Sequence, residues 1–136
     1  MNVWFGGRYL FDRSELSIGD NVGEMKLVEK SGQNNQILQF EGETYVVGTY
    51  GITEDDFIIG DAITFDVDKL SGYLPRERKD VRDLWFRFSN YEEAKEILSD
   101  YNDQDEIVII IDDYLLDLTE SAVVNEARLV KVVTVN

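Results

Sequence analysis

The alternation of apolar and polar residues predicts a strand-rich first half of the chain. Between residues 25 and 67, the short runs MKLVE, QILQF, TYVVGTY, FII and AITFDV are separated by the polar segments SGQNN, EGE, ITEDD and GD. Short strand-forming runs with polar breaks are typical of an antiparallel β-meander. Gly42 stands where a tight hairpin turn needs a residue that accepts positive φ. We therefore predict a series of hairpins, preceded by one or two short strands within residues 1–11.

The pattern changes after Val67 and predicts a mixed second half. Residues 68–83 include the single proline, Pro75, and are interpreted as a long connection or a second lobe of the surface. LWFRF alternates like a half-buried strand. Ser89 and Asn90 each precede a glutamate by three residues, which is the spacing of a helix-capping box. The expected helix has an apolar face at helical spacing, formed by Tyr91, Ala94, Ile97, Leu98 and Tyr101.

The carboxy-terminal part is expected to return to strands. The run IVIII, residues 107–111, predicts a central strand covered on both faces. TESAVVNEA predicts a short helix, and ARLVKVVTV predicts a final strand. We therefore expect an α+β fold in a single domain, 1–136. An antiparallel β-meander, open or barrel-like, fills 1–67, and a β-α-β part fills 83–136.

The chain of 136 residues contains neither cysteine nor histidine. This composition excludes Ser-His-Asp, Cys-His and zinc-thiolate chemistry and leaves only carboxylate chemistry to an enzyme. The candidate pairs are Asp55–Asp56 and Asp112–Asp113, but adjacent strand residues point to opposite faces of a sheet. An EF-hand is excluded in DYNDQDE, where Asp105 replaces the required glycine and Ile111 the bidentate glutamate. We expect no catalytic residues, no metal site and no cofactor.

Charge is the strongest signal in the sequence. The formal net charge is −15, and residues 92–126 contain one basic residue, Lys95, against twelve acids. Such a surface repels nucleic acid and anionic membranes and attracts basic proteins. Five of the thirteen basic residues are concentrated in residues 76–87, namely Arg76, Arg78, Lys79, Arg82 and Arg87. We predict that they form a local positive island; the alternative is that they fold back as an internal counter-charge.

The acids around the central strand suggest a binding role. We expect them to lie exposed at the two ends of the buried strand 107–111, because burying an unpaired carboxylate costs several kcal/mol. The predicted function is the blocking of a basic, nucleic-acid-handling protein. The candidate partner-binding residues are Asp100, Asp103, Asp105, Glu106, Asp112, Asp113 and Asp117. In size, charge and lack of catalytic residues the chain resembles acidic DNA-mimic and immunity proteins, a resemblance of kind rather than of motif.

Several hypotheses about the function and the biological context stay open. The inhibitor could be a phage or plasmid anti-defence protein or an immunity protein against a nuclease toxin. An alternative is a non-catalytic interaction or assembly module, which could be homo-oligomeric and would use exposed aromatic residues: Trp4, Tyr50, Tyr73 and Trp85. A third hypothesis is a carboxylate-based enzyme or a sugar-binding barrel. The chain has no apolar run of roughly 18 residues and no signal-peptide pattern, so we expect a location in a bacterial cytoplasm.

Overall fold

The computed structural model describes residues 3–5, 8–58, 60–68, 74–119 and 125–135. Within these residues the chain is mostly β-sheet, with one short helix, α1 (Tyr91–Ile97), between the ninth and tenth strands. The strands in chain order are β1 (Val3–Phe5), β2 (Arg8–Phe11), β3 (Asn21–Val22), β4 (Met25–Ser31), β5 (Ile37–Glu41), β6 (Thr44–Asp56), β7 (Gly60–Val67), β8 (Pro75–Glu77), β9 (Trp85–Phe88), β10 (Ile107–Asp117) and β11 (Asn125–Val135).

The strands form two sheets. A three-stranded sheet has the order β1-β2-β8, and a mixed eight-stranded sheet has the order β11-β9-β7-β6-β10-β5-β4-β3. Because β10 also pairs with β11, hydrogen-bonded neighbours lead from β10 through β11, β9, β7 and β6 back to β10. This circuit depends on β9, which is four residues long. The sheet is therefore not a regular barrel.

The core is built from the inward-facing residues of these strands. Phe86 and Phe88 of β9 are buried and stack near Phe65 of β7, with ring centroids 5.5 to 6.0 Å apart. Residues 107–111 of β10 are buried apart from half-buried Val108, as expected for a strand covered on both faces. The predicted apolar face of α1 packs onto the same core through Ala94.

The predicted hairpin at Gly42 is wrong in its pairing. The φ angle of Gly42 is +121°, as the turn requires. However, β5 and β6, both fully described, do not pair with each other, because β10 lies between them. Residues 107–111 of β10 pair with β6, and residues 114–117 pair with β5. A local pattern cannot reveal a strand that arrives from about 60 residues further along the chain.

Three other predicted elements also differ. The segment ITEDD, expected to be a turn, continues β6 to Asp56, and the turn falls instead on Phe57 and Ile58, which had been expected to form a strand. Pro75 begins β8, since proline is tolerated at the first residue of a strand at a sheet edge. Of the predicted helix TESAVVNEA, residues 120–124 lie outside the described residues, and residues 125–127 belong to β11.

Candidate acidic interaction site

The seven candidate acids fall into two groups with different surroundings. Asp100, Asp103, Asp105 and Glu106, which we call the acidic loop, precede β10. Asp112, Asp113 and Asp117 belong to β10 itself, which runs to Asp117. The expectation that Asp112 and Asp113 lie beyond the end of a strand is therefore wrong. They occupy the middle of an eleven-residue strand.

Asp112 and Asp113, which we call the acidic corner, are held by protein contacts. Asp112 is half-buried, and its Oδ1 accepts hydrogen bonds from the backbone N–H of Gly42 at 2.8 Å and of Asp113 at 2.7 Å. The Arg128 guanidinium bridges both carboxylates, at 2.9 Å from Asp113 Oδ2 and 3.4 Å from Asp112 Oδ2. The hydrogen bond to Asp113 raises the pKa of Arg128. The single positive charge of Arg128 therefore compensates part of the charge of these two carboxylates.

The acidic corner marks the place where β10 changes partners. Asp113 adopts a φ of +51°, and the ladder with β11 loses register between Asp112 and Leu115. Aspartate tolerates positive φ better than most residues, and such bulges bend a strand. Gly42 lies opposite the bend, and a Cβ there would lie 2.7 Å from the backbone oxygen of Glu24. The bend brings the carboxylates of Asp112 and Asp113 to the same cation, Arg128. Their contacts hold β10 at the point where its pairing changes from β6 to β5.

Asp117 is also used within the fold. It is half-buried, and its Oδ1 accepts hydrogen bonds from the backbone N–H and the hydroxyl of Thr119 at 3.0 and 2.7 Å. Its own N–H donates to Asn125 Oδ1, and Asn125 donates in turn to the hydroxyl of Tyr114. Complete burial raises the pKa of Tyr114 above its ordinary value. This network ties the end of β10 to the start of β11.

The acidic loop has a different environment. Asp100, Asp103 and Asp105 are exposed, and Glu106 is half-buried. Among the residues that the structure describes, no basic side chain forms an ion pair with Asp100, Asp103 or Asp105. The loop is shaped by Asn102, whose Oδ1 accepts from the N–H of Gln104 at 2.9 Å. The charges of these three aspartates are therefore not compensated by an ion pair within the described residues.

Tyr50 fixes this loop beside β6. The side chain of Tyr50 is 6% exposed, and its hydroxyl donates a hydrogen bond to the backbone oxygen of Tyr101 at 2.7 Å. Burial raises the pKa of Tyr50, and the charges of Asp103 and Asp105 raise it further. The loop is thus anchored on a buried side chain rather than hanging free.

The aromatic residues proposed for a contact surface are not exposed where the structure describes them. Tyr50 is buried, with its hydroxyl bonded to the backbone oxygen of Tyr101, and Trp85 is half-buried in β9. The side chain of Trp4 and the whole of Tyr73 lie outside the described residues. The sequence pattern missed Phe57 and Ile58, which are 102% and 69% exposed at the turn between β6 and β7. No local signal separates the apolar run FII from a buried strand.

The basic segment is largely occupied by internal contacts. Arg76 donates to the backbone oxygens of Asp80 and Arg82, Arg82 pairs with Asp80, and Arg87 pairs with Glu126 of β11. Burial alone would raise the pKa of Asp80, but hydrogen bonds from the side chain and backbone of Arg82 lower it below its usual value. Three of the five cations thus serve as internal counter-charge or support. The remaining two, Arg78 and Lys79, are exposed.

Other kinds of site find no support in the described part of the chain. Within residues 3–5, 8–58, 60–68, 74–119 and 125–135, no three Asp or Glu side chains come together as a metal site. No helix within those ranges is long and apolar enough to cross a membrane. The chain matches no protein-family model, and no similar protein was found among curated proteins or solved structures. Function must therefore be argued from the geometry itself.

Proposed function

We propose that the protein binds a basic surface of a nucleic-acid-handling protein through its acidic loop and thereby blocks that protein. The observation that carries the proposal is the contrast between the two groups of acids. The acidic corner is paired with Arg128, whereas Asp100, Asp103 and Asp105 stay exposed without an ion pair among the described residues. Exposed charge of one sign opposes folding through self-repulsion, so its concentration suggests a use outside the fold.

Carboxylates on an anchored loop suit such a surface. Lysine and arginine side chains that normally hold phosphates form equally strong, charge-assisted hydrogen bonds with carboxylates. Because Tyr50 and Asn102 hold the loop, less conformational entropy is lost on binding than with a free tail. The negative field of the whole chain, with a formal charge of −15, would also accelerate the encounter with a basic partner.

The proposal assigns no catalysis to the chain. One of the two candidate carboxylate pairs, Asp112 and Asp113, is bridged by Arg128 and so is occupied with holding the bend in β10. An anti-defence inhibitor and an immunity protein both fit this description. Either would act in a bacterial cytoplasm, where its target works.

The test is an affinity measurement with a defined partner. The wild-type chain is used to recover basic proteins from a bacterial lysate at low salt, and the recovered protein is identified, purified and titrated. The loop-neutralised variant replaces all four acids of the acidic loop: Asp100→Asn, Asp103→Asn, Asp105→Asn and Glu106→Gln. Exposed ion pairs contribute up to about 1 kcal/mol each, so affinity should fall between about tenfold and several hundredfold.

A matched control removes the same charge elsewhere. The control variant replaces four exposed acids near the other end of the sheet: Glu24→Gln, Glu29→Gln, Glu41→Gln and Glu43→Gln. It should bind nearly as well as the wild type. If both variants lose affinity equally, only net charge matters and the acidic loop is not the binding site. If the loop-neutralised variant binds as tightly as the wild type, the proposal is wrong.

A further inference from the structure

We infer that the hairpin tip, residues 54–58 with Gly60 and Asp61, is a second contact element that inserts Phe57 and Ile58 into an apolar pocket bordered by Lys and Arg side chains on the same partner. This inference rests on the proposed function, because it names where the basic partner is anchored. The apolar contact of Phe57 and Ile58 is insensitive to salt, whereas the ionic contact of the acidic loop is weakened by salt.

The first observation is the exposure of adjacent apolar side chains. Phe57 is 102% exposed and Ile58 is 69% exposed, and Ile52 on the same hairpin is 51% exposed. Among the described residues, the other exposed large apolar side chains each stand without an exposed apolar neighbour in the sequence: Ile18, Tyr45, Ile52, Val81 and Val133. Adjacent exposed aromatic and aliphatic side chains mark interaction sites, where such residues become the anchors of an interface.

The second observation is that the hairpin extends beyond the core. In β6 the residues of the core-facing side are buried up to Tyr50, at 6% exposure. The next position on that side, Ile52, is already half exposed, and β6 continues for four more residues to Asp56. The strands thus carry apolar side chains past the point where this chain can cover them.

The hairpin tip is also held in shape. The N–H of Ile58 donates to Asp56 Oδ1 at 2.8 Å, and the N–H of Asp55 donates to Asp61 Oδ1 at 2.9 Å. Asp55 and Gly60 both have positive φ, at 55° and 68°, which turns the chain tightly between the strands. A preformed turn loses little entropy when it docks, so the cost of inserting Phe57 is reduced.

Charge indicates the chemistry of the occupant. Four acids flank the apolar residues in the hairpin tip, namely Glu54, Asp55, Asp56 and Asp61, and residues 44–68 contain no lysine or arginine. A pocket with an acidic rim would repel this tip, whereas a rim of Lys and Arg would attract it. A second copy of the chain is disfavoured, since each copy carries the same formal charge of −15.

The hairpin tip and the acidic loop lie at the same end of the sheet. Ile107 pairs with Gly48 in an antiparallel ladder, so the residues before Ile107 run alongside β6 towards its hairpin end. The hydrogen bond from Tyr50 to Tyr101 confirms that placement. From Tyr50 to Phe57 the chain advances at most about 23 Å, at roughly 3.3 Å per residue. One interface of about 800 Å² per partner can include both elements.

Variants of the hairpin tip test the inference with the purified partner. The double variant Phe57→Ser, Ile58→Ser should bind about tenfold or more weakly, as expected for the loss of buried aromatic and aliphatic surface. That loss should be the same at low and high salt. The control is Tyr45→Ser, which removes a 53% exposed aromatic side chain from the opposite end of β6 and should leave affinity unchanged. A melting curve should show that the double variant folds normally.

Cross-linking identifies the occupant directly. A photoreactive benzophenone side chain at position 57 should attach to the partner at an apolar segment next to Lys or Arg, and the same group at position 45 should not. If Phe57→Ser, Ile58→Ser binds normally while the loop-neutralised variant does not, this inference is overturned and the proposed function stands. Cross-links only to a second copy of the chain would also overturn it. Recovery of no basic protein would overturn both.

Discussion

Replacing Asp112 with alanine should destabilise the protein, although the residue carries one of many negative charges in a chain with a surplus of them. If the acidic corner served only as an exposed charge, its removal would relieve repulsion and raise stability. The structure indicates the opposite. Asp112 holds the backbone where β10 passes from β6 to β5, through the N–H groups of Gly42 and Asp113 and through Arg128.

The magnitude follows from the contacts that alanine loses. Hydrogen bonds to a charged group contribute roughly 1.5 to 3 kcal/mol each, and Asp112 accepts two from backbone N–H groups. The side chain is 20% exposed, so water can replace part of that loss. We expect the free energy of unfolding to fall by about 2 to 4 kcal/mol. Asparagine keeps the oxygen that accepts from the two backbone N–H groups but loses the charge and the second oxygen, which accepts from Arg128, so Asp112→Asn should cost about 1 kcal/mol.

Urea unfolding followed by the fluorescence of the two tryptophans measures these differences through the shift of the midpoint at constant slope. Asp103→Ala provides the matched control, because Asp103 is exposed in the acidic loop. Its stability should stay within about 0.5 kcal/mol of the wild type or rise. The reasoning is refuted if Asp112→Ala unfolds at the same urea concentration as the wild type, or if Asp103→Ala is destabilised equally.

Three further predictions concern the turn, the loop and the basic segment. Gly42→Ala should lower stability by more than about 2 kcal/mol in the same urea assay, because a Cβ there would lie 2.7 Å from a backbone oxygen and φ is positive; unchanged stability would contradict this geometry. Replacing Asp103 and Asp105 with asparagine should lower the pKa of Tyr50, because two of the charges that raise it are removed. An ultraviolet absorbance titration measures this pKa, and an unchanged value would contradict the position of the acidic loop beside Tyr50. The lowered pKa of Asp80 means that its stabilising contribution is present above its unfolded-state pKa near about 4 and is lost as pH falls through the folded-state value. Stability of Asp80→Asn should therefore decline less than that of the wild type below about pH 4, and parallel acid denaturation curves would argue against this role.

Local patterns predicted most strands and the helix because the alternation of apolar residues reflects which face is buried. Phe86 and Phe88 alternate with half-buried residues as expected, and Ala94 lies on the buried face of α1. Pairing between distant segments could not be predicted in this way. Gly42 has the expected positive φ, yet its flanking strands are separated by β10, whose position depends on contacts made about 60 residues later in the chain.

The candidate site shows the same limit. The acids of residues 100–117 look alike in the sequence, and charge alone predicts exposure for all of them. Arg128 distinguishes them, because it reaches back to Asp112 and Asp113 from β11, and nothing in the sequence marks it as their partner. Phe57 was missed for a related reason, since an apolar residue is exposed or buried according to where the core ends. Only the position of the core relative to β6 decides this.

The salt dependence of partner binding tests the central claim most directly. The association constant of the purified partner is measured over a series of salt concentrations for the wild type, the loop-neutralised variant and the four-glutamate control variant. If the acidic loop forms the ion pairs, the wild type and the control should weaken steeply and in parallel as salt rises, while the loop-neutralised variant should start weaker and depend on salt much less. A loop-neutralised variant with the same salt dependence as the wild type would contradict the account.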